Sequence, residues 1–296
     1  HEPGAVLESQ LAASAPLEDE QVDIVLWPEG GVDSDPLADE ATAHALDDAA
    51  ARYDAPILLN AAAADGHLVY NTSVLWTSNG PTAAHAKRHP VPFGEYVPDR
   101  WFYGALVPSL VDLLEREYAA GVDTPAIEDD GVEVGLAICF DVAFDDVIHE
   151  GAHSGAQVLM FQTNNADFRD TDEHLQQLAF ARMRAIETGR SVVNLSTTGT
   201  SQVLAPNGAT LAALAADEPG LMIADLELRD GLTAAVMLAQ SINTLIVSGT
   251  LAGFLVLAFL LLRDRASSRH HRVLDSSQRS SIGLHECADA HRRERL

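Results

Sequence analysis

Short apolar runs closed by Gly, Pro or Asn alternate with amphipathic stretches along most of the chain. The runs are rich in Val, Ile and Leu, which is typical of buried β-strands. Strands are predicted at 22–27, 56–60, 67–77, 132–138, 157–162, 191–196, 200–205 and 222–226. Helical spacing predicts helices at 5–15, 36–53, 142–154 and 172–189, and a partly helical segment at 107–120. A turn at 79–81, an irregular loop at 85–98 and an acidic turn at 121–130 complete a layered α/β pattern.

This alternation ends at residues 242–262, where 21 consecutive residues carry no charge. At about 1.5 Å per residue, such a helix spans roughly 31 Å, the thickness of a hydrocarbon core. A buried core helix is the alternative, but core helices rarely run this far without a charge. Arg263, Arg265, Arg269 and Arg272 follow, and positive residues close to a span mark its cytoplasmic end. We therefore expect a transmembrane helix with the preceding domain on the extracytoplasmic face.

Charge is unevenly distributed on the two sides of this span. Residues 1–262 hold 10 Lys and Arg against 39 Asp and Glu, a formal charge of −29, whereas 263–296 hold 8 against 5, or +3. Such an acidic body argues against nucleic-acid binding, which requires basic patches for phosphate contacts. The two cysteines, Cys139 and Cys287, lie on opposite sides of the span and predict no disulfide framework.

Cys139 ends the predicted strand at 132–138. Ligands and chemistry are found at the carboxyl ends of strands in parallel sheets, so Cys139 is a candidate nucleophile. The alternative is a small buried apolar side chain, as most free cysteines are. Two other residues favour the nucleophile: Glu29 follows the strand at 22–27, and Lys87 is the only lysine of the chain.

Glu, Lys and Cys together have the chemistry of acyl transfer. A carboxylate near the thiol can accept its proton as a general base, and the thiolate is the attacking species. An ammonium group can lower the pKa of the thiol and stabilise a tetrahedral oxyanion. The sequence therefore predicts Glu29, Lys87 and Cys139 as catalytic residues.

Several motifs in order resemble those of a known family. They are Trp27-Pro-Glu-Gly30, Pro92-Phe-Gly-Glu-Tyr-Val-Pro98, Ile138-Cys-Phe-Asp141, Gln162-Thr-Asn-Asn-Ala166, the helix at 175–190 and Ser196-Thr-Thr-Gly199. With them the chain resembles the nitrilase (carbon–nitrogen hydrolase) superfamily and, within it, the apolipoprotein N-acyltransferases, over roughly residues 5–262. The resemblance implies a nitrilase-like α-β-β-α sandwich followed by one C-terminal transmembrane helix.

The resemblance also implies roles for individual residues. Glu29 would be the general base and Cys139 the nucleophile, while Lys87 would stabilise the oxyanion together with the backbone N–H of Phe140. Glu95 would be an additional acidic residue that supports the site, although a surface carboxylate is the alternative. Asp141 would support the site from behind, or simply cap the helix that follows. Separately, Arg182, Arg184 and Glu187 are expected to form structural ion pairs on the helix at 172–189.

The implied reaction moves a fatty acyl chain from a phospholipid to Cys139, and then to the α-amino group of the lipid-modified N-terminal cysteine of an apolipoprotein. The expected partners are thus a phospholipid acyl donor, a diacylglyceryl-modified apolipoprotein and the bilayer. No cofactor or metal is expected, since the histidines have no ligand spacing. A nitrilase-like amidase acting on small amides and an inactive fragment or binding module are the alternatives.

The expected organisation has three parts. Residues 1–231 form the catalytic domain, 232–262 a linker and the transmembrane helix, and 263–296 a basic, disordered cytoplasmic tail. The resemblance further implies that the chain is the C-terminal part of a longer polypeptide, without the membrane helices and first strand that precede this domain in the family.

Overall fold

The first of two sheets has four strands, and its two central strands form a long antiparallel hairpin. A computed structural model describes residues 4–112, 114, 116–168, 171–216 and 218–293, and the side chains of 110 and 264–293 lie outside it. The strands are β1 (Val25–Leu26), β2 (Ile57–Asp65), β3 (Leu68–Thr77) and β4 (Gly80–Ala86), in the order β1-β2-β3-β4. β1 is parallel to β2, and the other pairs are antiparallel.

The second sheet has six strands in the order β10-β9-β8-β7-β6-β5. Its central strands β6, β7 and β8 are parallel, and the outer pairs are antiparallel. The strands are β5 (Ala126–Asp129), β6 (Val132–Ile138), β7 (Val158–Thr163), β8 (Val192–Ser196), β9 (Gln202–Leu204) and β10 (Thr210–Ala213). Parallel neighbours place the carboxyl ends of β6, β7 and β8 along one edge.

Helices cover the outer face of each sheet. Helices α1 (Ala5–Ser14) and α2 (Glu40–Tyr53) share a core with β1, β2 and β3, and α5 (Asp145–His153) and α6 (Glu173–Thr188) share another with β6, β7 and β8. A third core lies between the sheets, where Leu58 and Leu75 pack with Leu136, Val158 and Met160. These layers confirm the predicted α-β-β-α sandwich.

Two strands were predicted wrongly as turns or loops. β4 occupies residues 80–86 and β5 residues 126–129, each at the edge of its sheet. Edge strands bury little on one side and carry Gly, Pro or charged residues, so their apolar pattern is weak. The consequence for the site is that Lys87 follows a paired strand directly rather than lying within a loop.

The strand predicted at 222–226 is not present among the described residues of that segment. Exposed and half-buried residues alternate from 221 to 227, as in a strand. A cavity of about 1540 Å³, lined by residues of β1 and by this segment, lies beside it. The alternating period was therefore right, but none of the described strands pairs with this segment. β10, at 210–213, was missed.

Helix boundaries follow local capping. α2 begins at Glu40 rather than 36 because the Asp39 side chain accepts a hydrogen bond from the N–H of Ala41. α6 ends where Gly189 adopts a left-handed φ of 66°. α6 buries Leu178, but it leaves exposed three of the apolar residues that predicted the helix, Leu175, Met183 and Ile186.

Two short helices and one long helix complete the chain. α3 (Arg100–Leu106) and α4 (Pro108–Val111) overlap only partly with the predicted helical segment at 107–120. α7 runs from Ala234 to Arg293. Its part from Ala234 to Arg263 is long and apolar enough to cross a membrane, with a mean hydropathy of 2.6 over an 18-residue window. The three-part division remains a prediction, and the disorder predicted for 263–296 falls largely on residues whose side chains are not described.

Candidate active site

Glu29 lies shortly after the end of β1, in a turn that is held by hydrogen bonds. Its side chain is only 8 % exposed. Its carbonyl oxygen accepts a hydrogen bond of 2.5 Å from Thr197 Oγ1, beyond the end of β8. The next residue, Gly30, has a φ of 66° and donates its N–H to Asn60 Oδ1 at 2.8 Å. A left-handed residue here costs little only because it is glycine.

Lys87 follows the end of β4 and is fixed by its backbone on both sides. Its N–H donates to Asn71 O at 2.8 Å, and its carbonyl accepts from Gly121 N–H at 2.7 Å. The side chain is 1 % exposed, and Nζ lies 2.7 Å from Glu95 Oε2 and 3.4 Å from Glu29 Oε1. The structure thus buries the only lysine between two carboxylates.

Glu95 is a member of this cluster and not a surface carboxylate. Besides the bond to Lys87, Oε2 accepts from the N–H of Val91 at 2.7 Å. Oε1 accepts from Asn71 Nδ2 at 3.1 Å, and the same nitrogen donates to Glu29 Oε1 at 2.7 Å. Both carboxylates are therefore held by a cation and an amide.

Cys139 stands at the tip of β6, at the start of a 3-10 turn over Cys139–Ala143. Its φ of 50° lies in the left-handed region, which is unusual for a residue other than glycine. Such strain persists only where the surrounding structure enforces it, and it is common at active sites. The residue as a whole is half-buried, and its backbone holds the thiol on a sharp turn.

Asp141 ties the cysteine turn to the lysine segment. Its side chain is fully buried and accepts backbone N–H bonds from Ile138 at 3.3 Å, Arg88 at 3.2 Å and His89 at 2.8 Å. Burial raises its pKa, and these hydrogen bonds oppose that rise. Asp141 thus connects the two sheets. From the sequence alone, a helix cap had remained an alternative role for this residue.

Phe140 lies on the open side of the turn. Its ring is 38 % exposed and meets Phe144 edge to face at 4.9 Å. Phe144 in turn stacks on His89 at 3.8 Å. The side chain of Phe140 is therefore directed away from the buried polar cluster, which leaves its backbone as the part close to Cys139.

Burial and charge set the protonation states of the cluster. Burial raises the pKa of Cys139 to about 12, an effect that the charge of Glu29 adds to and that of Lys87 opposes. Burial also raises the pKa of Glu29, against the attraction of Lys87. Burial alone would lower the pKa of Lys87, but the charges of Glu29, Cys139 and Glu95 outweigh it and raise the pKa. The resting thiol is thus neutral beside a permanent cation and a basic carboxylate.

Sequence reasoning missed Asn60, Asn71 and Gly121, and it included Thr197 only as part of the motif Ser196-Thr-Thr-Gly199, without a role. Asn60 and Asn71 are buried polar residues within β2 and β3, and a polar residue inside an apolar strand was the one available signal for them. Gly121 gave no signal in the sequence. It must be glycine because a β-carbon there would overlap the backbone of Ala86. Asn164 lies beyond β7, and its backbone acts to lower the pKa of Cys139, against the effect of burial.

A second polar cluster, on α5 and α6, has the composition of a metal site. Atoms of Asp145, His149 and Glu187 lie within 4.8 Å of one another. Arg184 Nη1 already bonds to Asp145 at 2.8 Å and to Glu187 at 2.6 Å, so the cluster is an ion-pair network. This confirms the ion pair expected for Arg184 and Glu187. Arg182 instead donates hydrogen bonds, to the Gly208 carbonyl and to Gln202.

Comparison with known proteins identifies a family and several named relatives. Residues 4–233 match the model of the carbon-nitrogen hydrolase family. The chain is 34% identical over 274 residues to the apolipoprotein N-acyltransferase of Mycolicibacterium smegmatis, covering 88% of this chain and 45% of the relative. It is 32% identical to that of Shewanella oneidensis, covering 56% of this chain and 32% of the relative. The chain thus spans less than half of these relatives.

Solved structures share the fold. An amidase from Nesterenkonia sp. AN1, with an acetamide moiety covalently added at its active-site cysteine, matches with a TM-score of 0.59 at 20% identity, over 80% of this chain and 87% of its own. A carbon–nitrogen hydrolase superfamily protein from Xanthomonas campestris matches with a TM-score of 0.53 at 20% identity, over 84% of this chain and 92% of its own. The resemblance inferred from the motifs is confirmed, and the chain belongs to the carbon–nitrogen hydrolase family.

Proposed function

We propose that this chain carries the catalytic centre of an apolipoprotein N-acyltransferase. The enzyme would move a fatty acyl chain from a phospholipid, through a thioester on Cys139, to the α-amino group of the lipid-modified N-terminal cysteine of an apolipoprotein. One observation carries the proposal: a buried Glu29–Lys87–Glu95 cluster whose charges act on a thiol at a strained strand end. The likeness to named N-acyltransferases supports the choice of substrate class.

The first step forms the thioester. Glu29 accepts the thiol proton as sulfur attacks the ester carbonyl, because a thiol with a pKa near 12 supplies almost no thiolate unaided. The oxyanion of the tetrahedral intermediate is stabilised by the Lys87 ammonium and the backbone N–H of Phe140. Collapse breaks the ester C–O bond, and Glu29 returns the proton to the leaving glycerol oxygen. The products are the Cys139 thioester and a lysophospholipid.

The second step resolves the thioester. The acceptor amine attacks the same carbonyl carbon, Glu29 accepts an amine proton, and the C–S bond breaks. The proton passes to the departing sulfur, so the thiol is restored and an amide is formed. Both oxygens of Glu95 are already engaged, Oε2 by Lys87 and the N–H of Val91 and Oε1 by Asn71, which leaves Glu29 as the carboxylate that exchanges the proton.

The apolar helix fits a reaction between two lipids. Residues 234–263 are long and apolar enough to span a bilayer, and both substrates are anchored in one. A tether that keeps the site near the bilayer raises its effective concentration toward those substrates. The arginines that begin at Arg263 favour a cytoplasmic tail and an extracytoplasmic catalytic domain in the cell membrane.

Intact-mass analysis after incubation with phospholipid vesicles tests the proposal. We expect the mass to rise by one acyl group on Cys139, with no rise in Cys139→Ala. Adding a synthetic diacylglyceryl-modified peptide should remove the adduct and yield the N-acyl peptide. An unmodified Cys139 after incubation, in protein shown to be folded, would rule the proposal out.

A nitrilase-like amidase acting on small soluble amides is the second candidate, favoured by the fold shared with the Nesterenkonia amidase. An amidase would use Glu29, Lys87 and Cys139 in the same roles, but water would hydrolyse its acyl-enzyme. Release of ammonia from small amides without any adduct from phospholipid would select it. If Cys139→Ser changes neither reaction, the inactive-fragment alternative holds.

A further inference from the structure

Two buried asparagines connect the main chain beside Glu29 to its side chain. The N–H of Gly30 donates to Asn60 Oδ1 at 2.8 Å, and Asn60 Nδ2 donates to Asn71 Oδ1 at 2.8 Å. Asn71 Nδ2 then donates to Glu29 Oε1 at 2.7 Å. Asn60 is 1 % and Asn71 7 % exposed. The bonds form a closed circuit that leaves Glu29 through the peptide and returns to its carboxylate.

The two ends of this circuit fix the orientation of both amides. A backbone N–H can only donate, so Asn60 must direct its oxygen toward Gly30. The Asn60 nitrogen then faces Asn71, so the Asn71 oxygen must accept its hydrogen bond. The Asn71 nitrogen is consequently directed at Glu29 and Glu95, which as carboxylates can only accept. Neither amide can flip without leaving a buried group unsatisfied, which is costly for a buried donor or acceptor.

We propose that Asn71 is a positioning residue of the active site, which Asn60 orients and which joins the Glu29 and Glu95 carboxylates at a fixed distance from Lys87. The proposal rests on the proposed role of Glu29 as the base. Without the amide, Lys87 would be the only described group to hold the two like charges together. Asn71 Nδ2 donates to Oε1 of each carboxylate, which keeps Glu29 in a position where its charge acts on the thiol.

This role has an electrostatic consequence. A hydrogen bond to a carboxylate favours its charged form, so Asn71 opposes the effect of burial on the pKa of Glu29. If the amide is replaced, Glu29 becomes protonated at a higher pH and ceases to accept the thiol proton there. A residue that merely filled space in β3 would lack this effect.

The test compares the pH dependence of Cys139 reactivity in matched variants. Asn71→Asp keeps the shape of the side chain but replaces the donor by a carboxylate, and Asn71→Leu removes all polar atoms. The matched controls are Asn194→Asp and Asn194→Leu, because Asn194 is a buried β8 amide that donates to Thr200 O. Two rates are measured for Cys139, resolved by peptide mass spectrometry: acylation by phospholipid vesicles and alkylation by iodoacetamide.

We expect both Asn71 variants to move the acid limb of both rates upward by about one pH unit or more, a roughly tenfold loss on that limb. The KM for phospholipid should be unchanged, and Asn60→Asp should give a smaller shift in the same direction. The Asn194 variants should leave the limb in place, whatever they cost in melting temperature.

The outcomes separate this proposal from the proposed function. If the wild type forms no acyl adduct but alkylation shifts in the Asn71 variants, the function fails and the positioning role stands. If the wild type forms the adduct and folded Asn71→Leu and Asn71→Asp keep its acid limb, the positioning role is wrong. A shift of equal size in the Asn194 variants would also overturn it, because the effect would then be general to buried amides.

Discussion

The two sheets contribute to the site in different ways. From the first sheet come side chains that bond to one another: Glu29, Asn60, Asn71 and Lys87 form a buried network whose members hold each other in place. The second sheet provides Cys139, a half-buried residue that is held by its backbone on a strained turn. One part is a rigid polar network and the other is a single reactive atom on a fixed turn.

This difference follows from what each part must do. A base and an oxyanion-stabilising cation require fixed charges, and buried charges persist only when paired and hydrogen-bonded. A nucleophile must stay free to form a bond, so only its backbone can be constrained. A few contacts connect the parts: Asp141 reaches the N–H groups of Arg88 and His89, and Thr197 reaches the Glu29 carbonyl. Damage to the network should therefore cost stability and activity together.

The largest effect is expected from Lys87→Met. Removal of the cation leaves two buried carboxylates facing each other, which should cost about 3–5 kcal/mol of unfolding free energy and abolish acylation. Urea unfolding and the mass assay measure both. Arg229→Met is the control, since Arg229 and its partner Glu227 are at least half exposed and such pairs contribute about 0–1 kcal/mol. Equal losses in the two variants would show that the network is not what stabilises this sheet.

Asp141→Asn tests the connection between the two parts. Its carboxylate accepts three backbone N–H groups, and an amide would direct N–H donors at some of them. We expect a loss of about 3 kcal/mol and, in protein that remains folded at low temperature, slower acylation of Cys139. Unchanged acylation in folded Asp141→Asn would mean that the turn positions the cysteine without help from the lysine segment.

Gly121→Ala should act on the network from outside it. A β-carbon at Gly121 would overlap the carbonyl of Ala86, next to Lys87, and the backbone would have to shift. We expect a loss of about 2 kcal/mol with a decrease in acylation. Gly104→Ala is the control, since no atom lies near the β-carbon it would add. Full activity with reduced stability would show that Lys87 tolerates displacement of its strand.

The smallest effect concerns His85, a fully buried residue of β4. Burial lowers its pKa to about 4, with Asp123 opposing and Arg88 adding to the shift. An unfolded histidine titrates near 6.5, so between about pH 6.5 and 4 the unfolded chain binds a proton that the folded chain does not. The free energy of unfolding should therefore decrease as the pH is lowered through that window, by about 1 kcal/mol at pH 5.5. Urea unfolding at pH 7.5 and 5.5 should show that this component is missing in His85→Leu, and an identical pH dependence in both proteins would contradict it.

The sequence predicted the fold class correctly but missed some of the elements that surround the site. Strand ends at Glu29 and Cys139 and the single Lys87 indicated a thiol with a base and a cation, and the apolar span was evident from its length. Edge strands β4 and β5 were missed because their residues are small or charged and lie at the margins of their sheets. The apolar set that revealed α6 includes residues that the helix exposes.

What the sequence determined by itself were properties encoded locally: the period of apolar residues, the capping of α2 and α6, the length of the span, and the order of Glu, Lys and Cys along the chain. Only the tertiary structure decided that Glu95 joins the cluster, that Asn60 and Asn71 bond to each other across β2 and β3, and that Asp141 bridges two sheets. These contacts join residues distant in sequence. Which buried polar groups meet is fixed by strand pairing and sheet packing, and no local pattern encodes it.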